Sequence, residues 1–116
     1  MRYMLLIYNS PTAWSTFDQA QIDQMMAAYG TFTQGIIESG EFLSGDPLQG
    51  LDTATSVRVR DGKVDTTDGP FAETKEVLTG YYVVNVGDLD RATALAAQIP
   101  DAKYGTIEVR PIQEMG

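Results

Sequence analysis

The sequence contains no cysteine and no histidine. The absence of cysteine excludes disulfide bonds, thiolate catalysis and cysteine-ligated zinc. The absence of histidine removes the most common general base near neutral pH and the most common metal ligand. Any metal would need oxygen ligands alone, and we expect neither a metal nor a cofactor.

Basic residues and long apolar runs are also scarce. Lysine and arginine total 8 against 16 aspartates and glutamates, which gives a net charge of −8. Such a surface repels phosphate backbones and anionic lipids, so we expect no nucleic-acid partner and no membrane partner. The apolar run at residues 3–8 is too short to span a bilayer and lacks a signal-peptide cleavage pattern. We therefore expect a cytoplasmic protein with a single domain over residues 1–116.

The hydrophobic pattern predicts an α+β fold. The helix after the first strand should be capped by Ser15 or Thr16, carry an apolar stripe at steps of three and four, and end at Gly40. Asp88 should cap the second helix and Pro100 should stop it. The predicted elements, in order, are strand 3–8, helix 16–38, strand 41–45, strands 53–60 and 63–67 joined by a turn at Asp61 and Gly62, strand 77–86, helix 89–99 and strand 106–112. This order is typical of the ferredoxin-like β-α-β-β-α-β sandwich, here with an inserted β-hairpin.

The first predicted strand is apolar on both faces. Tyr3, Leu5 and Ile7 point to one side of the sheet, and the alternate residues, Met4 among them, point to the other. Two helices can cover only one face of a four-stranded sheet. Since monomers avoid large exposed apolar patches, we predict a homodimer that packs sheet to sheet through the open face.

The segment of residues 68–76, Asp-Gly-Pro-Phe-Ala-Glu-Thr-Lys-Glu, has a structural interpretation. Asp68 and Gly69 favour a turn, Pro70 fixes φ, and Phe71 is predicted to fill a position in the core. On this interpretation the segment maintains a turn and the seam of the dimer.

The same segment also has a functional interpretation, because it is dense in charge. Asp68, Glu73, Lys75 and Glu76 fall within nine residues, and two tyrosines follow soon after. Carboxylates beside a lysine can bind a polar ligand or serve as acid and base. A solvated edge is the simpler explanation of such a charged run.

Several segments together carry a family resemblance. They are residues 3–8, 28–29, 40, 57–63, 67–76, 80–82, 99–100, 104–105 and 108–111. In these segments the chain resembles the DGPF subgroup of the YCII-related family. The resemblance implies a ferredoxin-like fold, a dimeric α/β barrel and a cleft near the sheet, which is sometimes proposed as an active site.

The resemblance also indicates what this chain lacks. Much of the wider family places a histidine–aspartate pair in the cleft, and a few relatives are dehalogenating or lactone-processing enzymes. Many DGPF proteins have a carboxylate in the first helix, where this chain has Thr33, Gln34 and Gly35. Some members are encoded beside extracytoplasmic-function sigma factors, which implies a regulatory role.

Three functional hypotheses follow. The first is a small-molecule-binding or regulatory-accessory dimer. The second is a lyase-like or hydrolase-like enzyme that uses carboxylates without histidine, and the third is a purely structural protein. For the enzyme, the candidate acids and bases are Asp68, Glu73 and Glu76, the candidates for an anionic group are Arg58, Lys75 and Arg110, and the candidates for hydrogen bonds to substrate are Tyr29 and Tyr81. Trp14 is expected either to cover a pocket or to cover the start of the helix.

Overall fold

The computed structural model describes residues 1–115. Two short 3₁₀ turns, Leu51–Thr53 and Pro100–Lys103, interrupt the connections between the regular elements. The strands and helices are β1 (Arg2–Asn9), α1 (Gln19–Glu38), β2 (Phe42–Pro47), β3 (Thr55–Arg60), β4 (Lys63–Asp68), β5 (Val77–Asn85), α2 (Leu89–Ala96) and β6 (Thr106–Pro111).

The main sheet has four strands in the order β2-β5-β1-β6, and every neighbouring pair is antiparallel. Strand β1 lies between β5 and β6, and its Leu5 pairs with Tyr82 of β5 on one side and with Val109 of β6 on the other. Strands β3 and β4 form a separate two-stranded sheet. The mixed α+β architecture is confirmed, and it is compatible with the predicted ferredoxin-like fold.

Both helices pack on the same face of the main sheet. In β1, Tyr3, Leu5 and Ile7 are buried, whereas the residues between them are only half-buried. The core around these three side chains also contains Phe32 and Ile36 from α1, Ala92, Leu95 and Ala96 from α2, and Ile99. Within residues 1–115, the opposite face therefore has neither helix packed on it. No helix of the described chain combines the length and apolarity needed to cross a membrane.

The helix ends differ in part from the prediction. Helix α1 begins at Gln19, and its N-cap is Asp18 rather than Ser15 or Thr16. The Asp18 carboxylate accepts a hydrogen bond from the backbone N–H of Gln21 at 2.8 Å, and the Gln21 side chain accepts one from the N–H of Asp18 at 2.9 Å. This reciprocal pair satisfies two helix-terminal donors at once, which a cap farther upstream would leave unpaired.

Other helix signals are confirmed. Gly40 takes the left-handed conformation with φ of +79° just after α1. The Asp88 carboxylate accepts a hydrogen bond from the N–H of Arg91 at 2.9 Å and caps α2. Helix α2 nevertheless ends at Ala96, earlier than predicted, and Pro100 begins a 3₁₀ turn instead of ending the helix.

The β3–β4 hairpin projects from the body of the protein. Asp61 and Gly62 both have positive φ, 52° and 73°, which confirms the predicted two-residue turn. The side chains of Val57, Val59 and Val64 are 57–71% exposed. The radius of gyration is 16.2 Å, whereas a compact chain of this length has about 13 Å. The hairpin is therefore an extended arm.

The turn after the hairpin lies at the surface. Gly69 has φ of +98°, and its N–H donates to the carbonyl of Ala54 at 2.7 Å. The Ser56 hydroxyl donates to the carbonyl of Gly69 at 2.8 Å. Phe71 is 80% exposed, so the prediction that it fills a core position is wrong. The segment starts at the base of the hairpin, where Asp68 pairs with Thr55, and residues 70–75 are all exposed.

Candidate functional site

A cavity of about 680 Å³ lies between α1, the segment that follows β1, and the strands β2 and β5. Its wall is mostly apolar, with a small number of polar groups that come from distant parts of the chain. The side chains most relevant to binding are those of Asn9, Trp14, Met26, Tyr29, Thr33, Leu48 and Asp101. Cavities of this size and character are typical small-molecule sites.

Glycines lie in the wall of the cavity. Gly30 lies in the part of α1 that forms one wall, and a Cβ atom built on it meets no other atom within 4 Å. Gly80 lines the cavity from β5, where a Cβ atom would lie 3.1 Å from the carbonyl oxygen of Asp46. Gly30 in the middle of a helix costs about 1 kcal/mol relative to alanine.

A buried aspartate organises the polar end of the cavity. Asp101 is only 5% exposed and lies in the 3₁₀ turn Pro100–Lys103 that follows α2. Its Oδ1 accepts hydrogen bonds from Nδ2 of Asn9 at 2.9 Å and from Nε1 of Trp14 at 3.0 Å. Its Oδ2 accepts one from the hydroxyl of Tyr29 at 2.5 Å. We call these four residues the Asp101 cluster; they join β1, the loop after it, α1 and the last 3₁₀ turn.

The environment of Tyr29 keeps its hydroxyl protonated. Burial raises the pKa of Tyr29 far above its ordinary value, and the hydrogen bond to the negatively charged Asp101 raises it further. The hydroxyl therefore acts as a donor to Asp101.

Two further tyrosines line the cavity. The hydroxyl of Tyr82 and Oγ1 of Thr33 are 2.6 Å apart and share a hydrogen bond, while burial raises the pKa of Tyr82. Tyr81 pairs with Leu6 in the sheet, so its side chain lies on the face opposite the helices. There its hydroxyl donates to Oδ2 of Asp46 at 3.0 Å, and this hydrogen bond raises the pKa of Tyr81. Thr33 thus fills, with a neutral hydroxyl, a helix position near which many DGPF proteins carry a carboxylate.

The two aromatic rings of the Asp101 cluster pack against each other and against neighbouring rings. The ring centroids of Trp14 and Tyr29 lie 6.4 Å apart, and Trp14 also stacks on Phe17 at 6.2 Å. Phe17 in turn meets the edge of Tyr104 at 5.5 Å. Trp14 therefore lines the cavity and also packs against Phe17 just before α1.

The model of the YCII-related domain family matches residues 1–116. This chain belongs to the YCII-related domain family. An uncharacterized protein of Rhizobium meliloti (strain 1021) is 31% identical over 114 residues, which cover 97% of this chain and 92% of that protein. The likeness therefore extends over the whole YCII-related domain and is not confined to the segment of residues 68–76.

Only two of the predicted site residues line the cavity of this YCII-related domain, namely Tyr29 and Tyr81. The other six lie outside it. Among the charged residues of the segment 68–76, Glu76 is half-buried and accepts a hydrogen bond from Oγ1 of Thr106 at 2.7 Å. The side chains at the surface are those of Asp68, Glu73, Lys75, Arg58 on the hairpin and Arg110 on β6. Among residues 1–115, no three acidic side chains gather as a metal site.

The central residues of the cavity, Asp101 and Asn9, were not predicted from the sequence. Asp101 receives hydrogen bonds from residues 72, 87 and 92 positions away, so no local motif connects them. One signal was available in the strand order. Because Tyr8 pairs with Thr106 in the sheet, the end of β1 must lie close to the turn that precedes β6.

Proposed function

We propose that this YCII-related domain binds a small molecule in the cavity between α1 and the edge formed by β2 and β5. The observation that supports this most is the convergence of the Asp101 cluster on a mostly apolar cavity of about 680 Å³. A large apolar space supplies affinity, and a few fixed polar groups supply orientation.

The polar groups are held in place before any ligand arrives. Asp101 accepts hydrogen bonds from three side chains on three separate segments, so its carboxylate has little rotational freedom. Thr33 and Tyr82 fix each other in the same way. Such preorganisation lowers the entropic cost of binding.

The protein is proposed to act as a homodimer that joins two sheets face to face, as in a dimeric α/β barrel. Met4, Leu6 and Tyr8 of β1 lie on the sheet face opposite the helices and are half-buried in the single chain. The molecule is also thin, 48 × 47 × 19 Å, as expected of one sheet with one helical layer. A mass of one chain by light scattering at micromolar concentration would contradict this proposal.

Two alternatives stay predictions. The regulatory role beside an extracytoplasmic-function sigma factor would require that a ligand of the cavity changes binding to such a factor. The enzymatic alternative with Asp68, Glu73 or Glu76 has less support from the geometry, because none of these carboxylates lines the cavity.

The test of small-molecule binding is a metabolite screen by thermal shift on three proteins: the wild type, Gly30→Leu and Gly35→Leu. Residue 30 lines the cavity and residue 35 does not, while both lie in α1 with no atom within 4 Å of a built Cβ. A saturating ligand at about 100 times its Kd stabilises the folded state by about 2.7 kcal/mol. We expect this shift in the wild type and in Gly35→Leu but not in Gly30→Leu.

Two results would count against the proposal. If every stabilising compound acts equally on Gly30→Leu, binding takes place outside the cavity. If a broad screen of metabolites stabilises none of the three proteins, the cavity has no small-molecule role.

A further inference from the structure

The cavity is acidic as well as apolar. The buried carboxylate residue Asp101 lies in its wall, and none of the residues of the described chain that line it is lysine or arginine. Within residues 1–115, the cation–carboxylate pairs are Arg2 with Glu114 and Arg91 with Glu41, both outside the cavity. The charge of Asp101 is therefore stabilised by neutral donors and is not balanced by a cation.

The donors of the two aromatic residues beside Asp101 are already engaged. Trp14 and Tyr29 each have one donor hydrogen, and both are directed to Asp101. A ligand at this end of the cavity therefore meets acceptor atoms, namely the remaining lone pairs of the Asp101 carboxylate.

The aromatic side chains in the wall also favour a cationic ligand over an anionic one. Trp14 and Tyr29 stand side by side with ring centroids 6.4 Å apart, next to the buried carboxylate. The negative faces of such rings attract ammonium and guanidinium groups, most strongly where water is excluded. A carboxylate or phosphate ligand would face both the rings and Asp101 without a basic partner.

We propose that the ligand is an organic cation, with an ammonium or guanidinium head beside Trp14, Tyr29 and Asp101 and an apolar body along Met26 and Leu48. This inference rests on the proposed function, because it assigns a ligand class to the same cavity. It differs from the expectation of an anionic substrate, since Arg58, Lys75 and Arg110 lie outside the cavity.

The test uses three probes that share one apolar body and differ in the head group: phenylbutylamine, phenylbutanol and phenylbutyrate. Their affinities for the wild type, Gly30→Leu and Gly35→Leu are measured by isothermal titration calorimetry at neutral pH. For the wild type we expect the amine to bind at least about tenfold more tightly than the carboxylate, which corresponds to about 1.4 kcal/mol. The alcohol should lie between them.

A variant then locates the source of the preference. Asp101→Asn keeps an acceptor for Asn9 and Trp14 but removes the charge, so the ratio of amine to carboxylate affinity should fall severalfold. If this variant does not fold, the salt dependence of the wild type replaces it, since amine binding should weaken with added salt and alcohol binding should not.

The outcomes separate the two proposals. Equal or tighter binding of phenylbutyrate that is lost in Gly30→Leu overturns the cationic ligand class and leaves the cavity as a binding site. Binding of the amine that is unchanged in Gly30→Leu overturns the location. Failure of all three probes to bind the wild type at millimolar concentration overturns the inference, while the metabolite screen decides the proposed function by itself.

Discussion

Replacing Asp101 with alanine removes the acceptor of three hydrogen bonds in one step. The donors left behind differ in their access to water. Asn9 is 4% exposed, so its amide cannot readily find a new partner. Trp14 and Tyr29 are half-buried at the cavity wall, where water can reach them.

These differences set the magnitude. A buried donor without a partner costs about 1–3 kcal/mol, and a typical hydrogen bond exchanged for one to water costs about 0.5–1.5 kcal/mol. We therefore expect Asp101→Ala to lower the free energy of unfolding by roughly 3 kcal/mol, which is a large part of the stability of a small domain. For a chain of this length the midpoint of thermal unfolding should fall by roughly 10 °C.

The assay is urea denaturation followed by tryptophan fluorescence and circular dichroism. Trp14 is the single tryptophan and donates to Asp101, so fluorescence reports directly on the cluster. The control is Asp65→Ala, which removes an exposed carboxylate from the hairpin and should change the stability by less than about 0.5 kcal/mol. In a double-mutant cycle, Tyr29→Phe and Asp101→Ala should couple by about 1–2 kcal/mol.

A stabilising role of the Asp101 cluster is refuted if Asp101→Ala costs no more than Asp65→Ala. It is also refuted if the effects of Tyr29→Phe and Asp101→Ala simply add, because their short hydrogen bond would then contribute nothing measurable.

Two further predictions concern, first, the ion pair between Glu41 and Arg91 and, second, the open face of the sheet. Hydrogen bonds from Arg91 and from Ser39 lower the pKa of Glu41 to about 2. This stabilisation should be fully present above about pH 5 and lost as the pH falls toward 2. Glu41→Gln should therefore lower the free energy of unfolding by about 1 kcal/mol at neutral pH and weaken its dependence on pH in the acid range. An unchanged acid dependence in urea titrations would contradict this. Leu6→Lys places a charge on the proposed dimer face and should yield monomers by sedimentation velocity. The control Leu89→Lys, at an exposed position of α2, should stay dimeric. A dimeric Leu6→Lys protein would argue against sheet-to-sheet packing.

Local rules predicted much of the fold. The turn at Asp61 and Gly62, the left-handed Gly40 and the cap at Asp88 each depend on the chemistry of one or two neighbouring residues. The start of α1 was missed although Asp18 and Gln21 have the spacing of a capping box, because Ser15 and Thr16 are also good caps. Competing local signals of equal strength are resolved only by the packing around them.

The site was harder to predict than the fold. The charged segment 68–76 attracted the functional hypotheses because its residues are close in sequence, and the structure places most of them at the surface. The Asp101 cluster instead depends on the sheet, which brings the end of β1 next to the turn before β6. An aspartate in such a turn has no pattern that separates it from an exposed one until the strand order is known.

The projecting hairpin affects how the protein should behave in solution. An arm that extends away from a thin body increases hydrodynamic drag without adding mass, and the radius of gyration of 16.2 Å already exceeds that of a compact chain. A single chain should therefore elute early from a gel-filtration column, in the direction of a dimer. Small-angle scattering should give it a pair-distance distribution with a long tail, which disappears if the arm folds onto a second subunit.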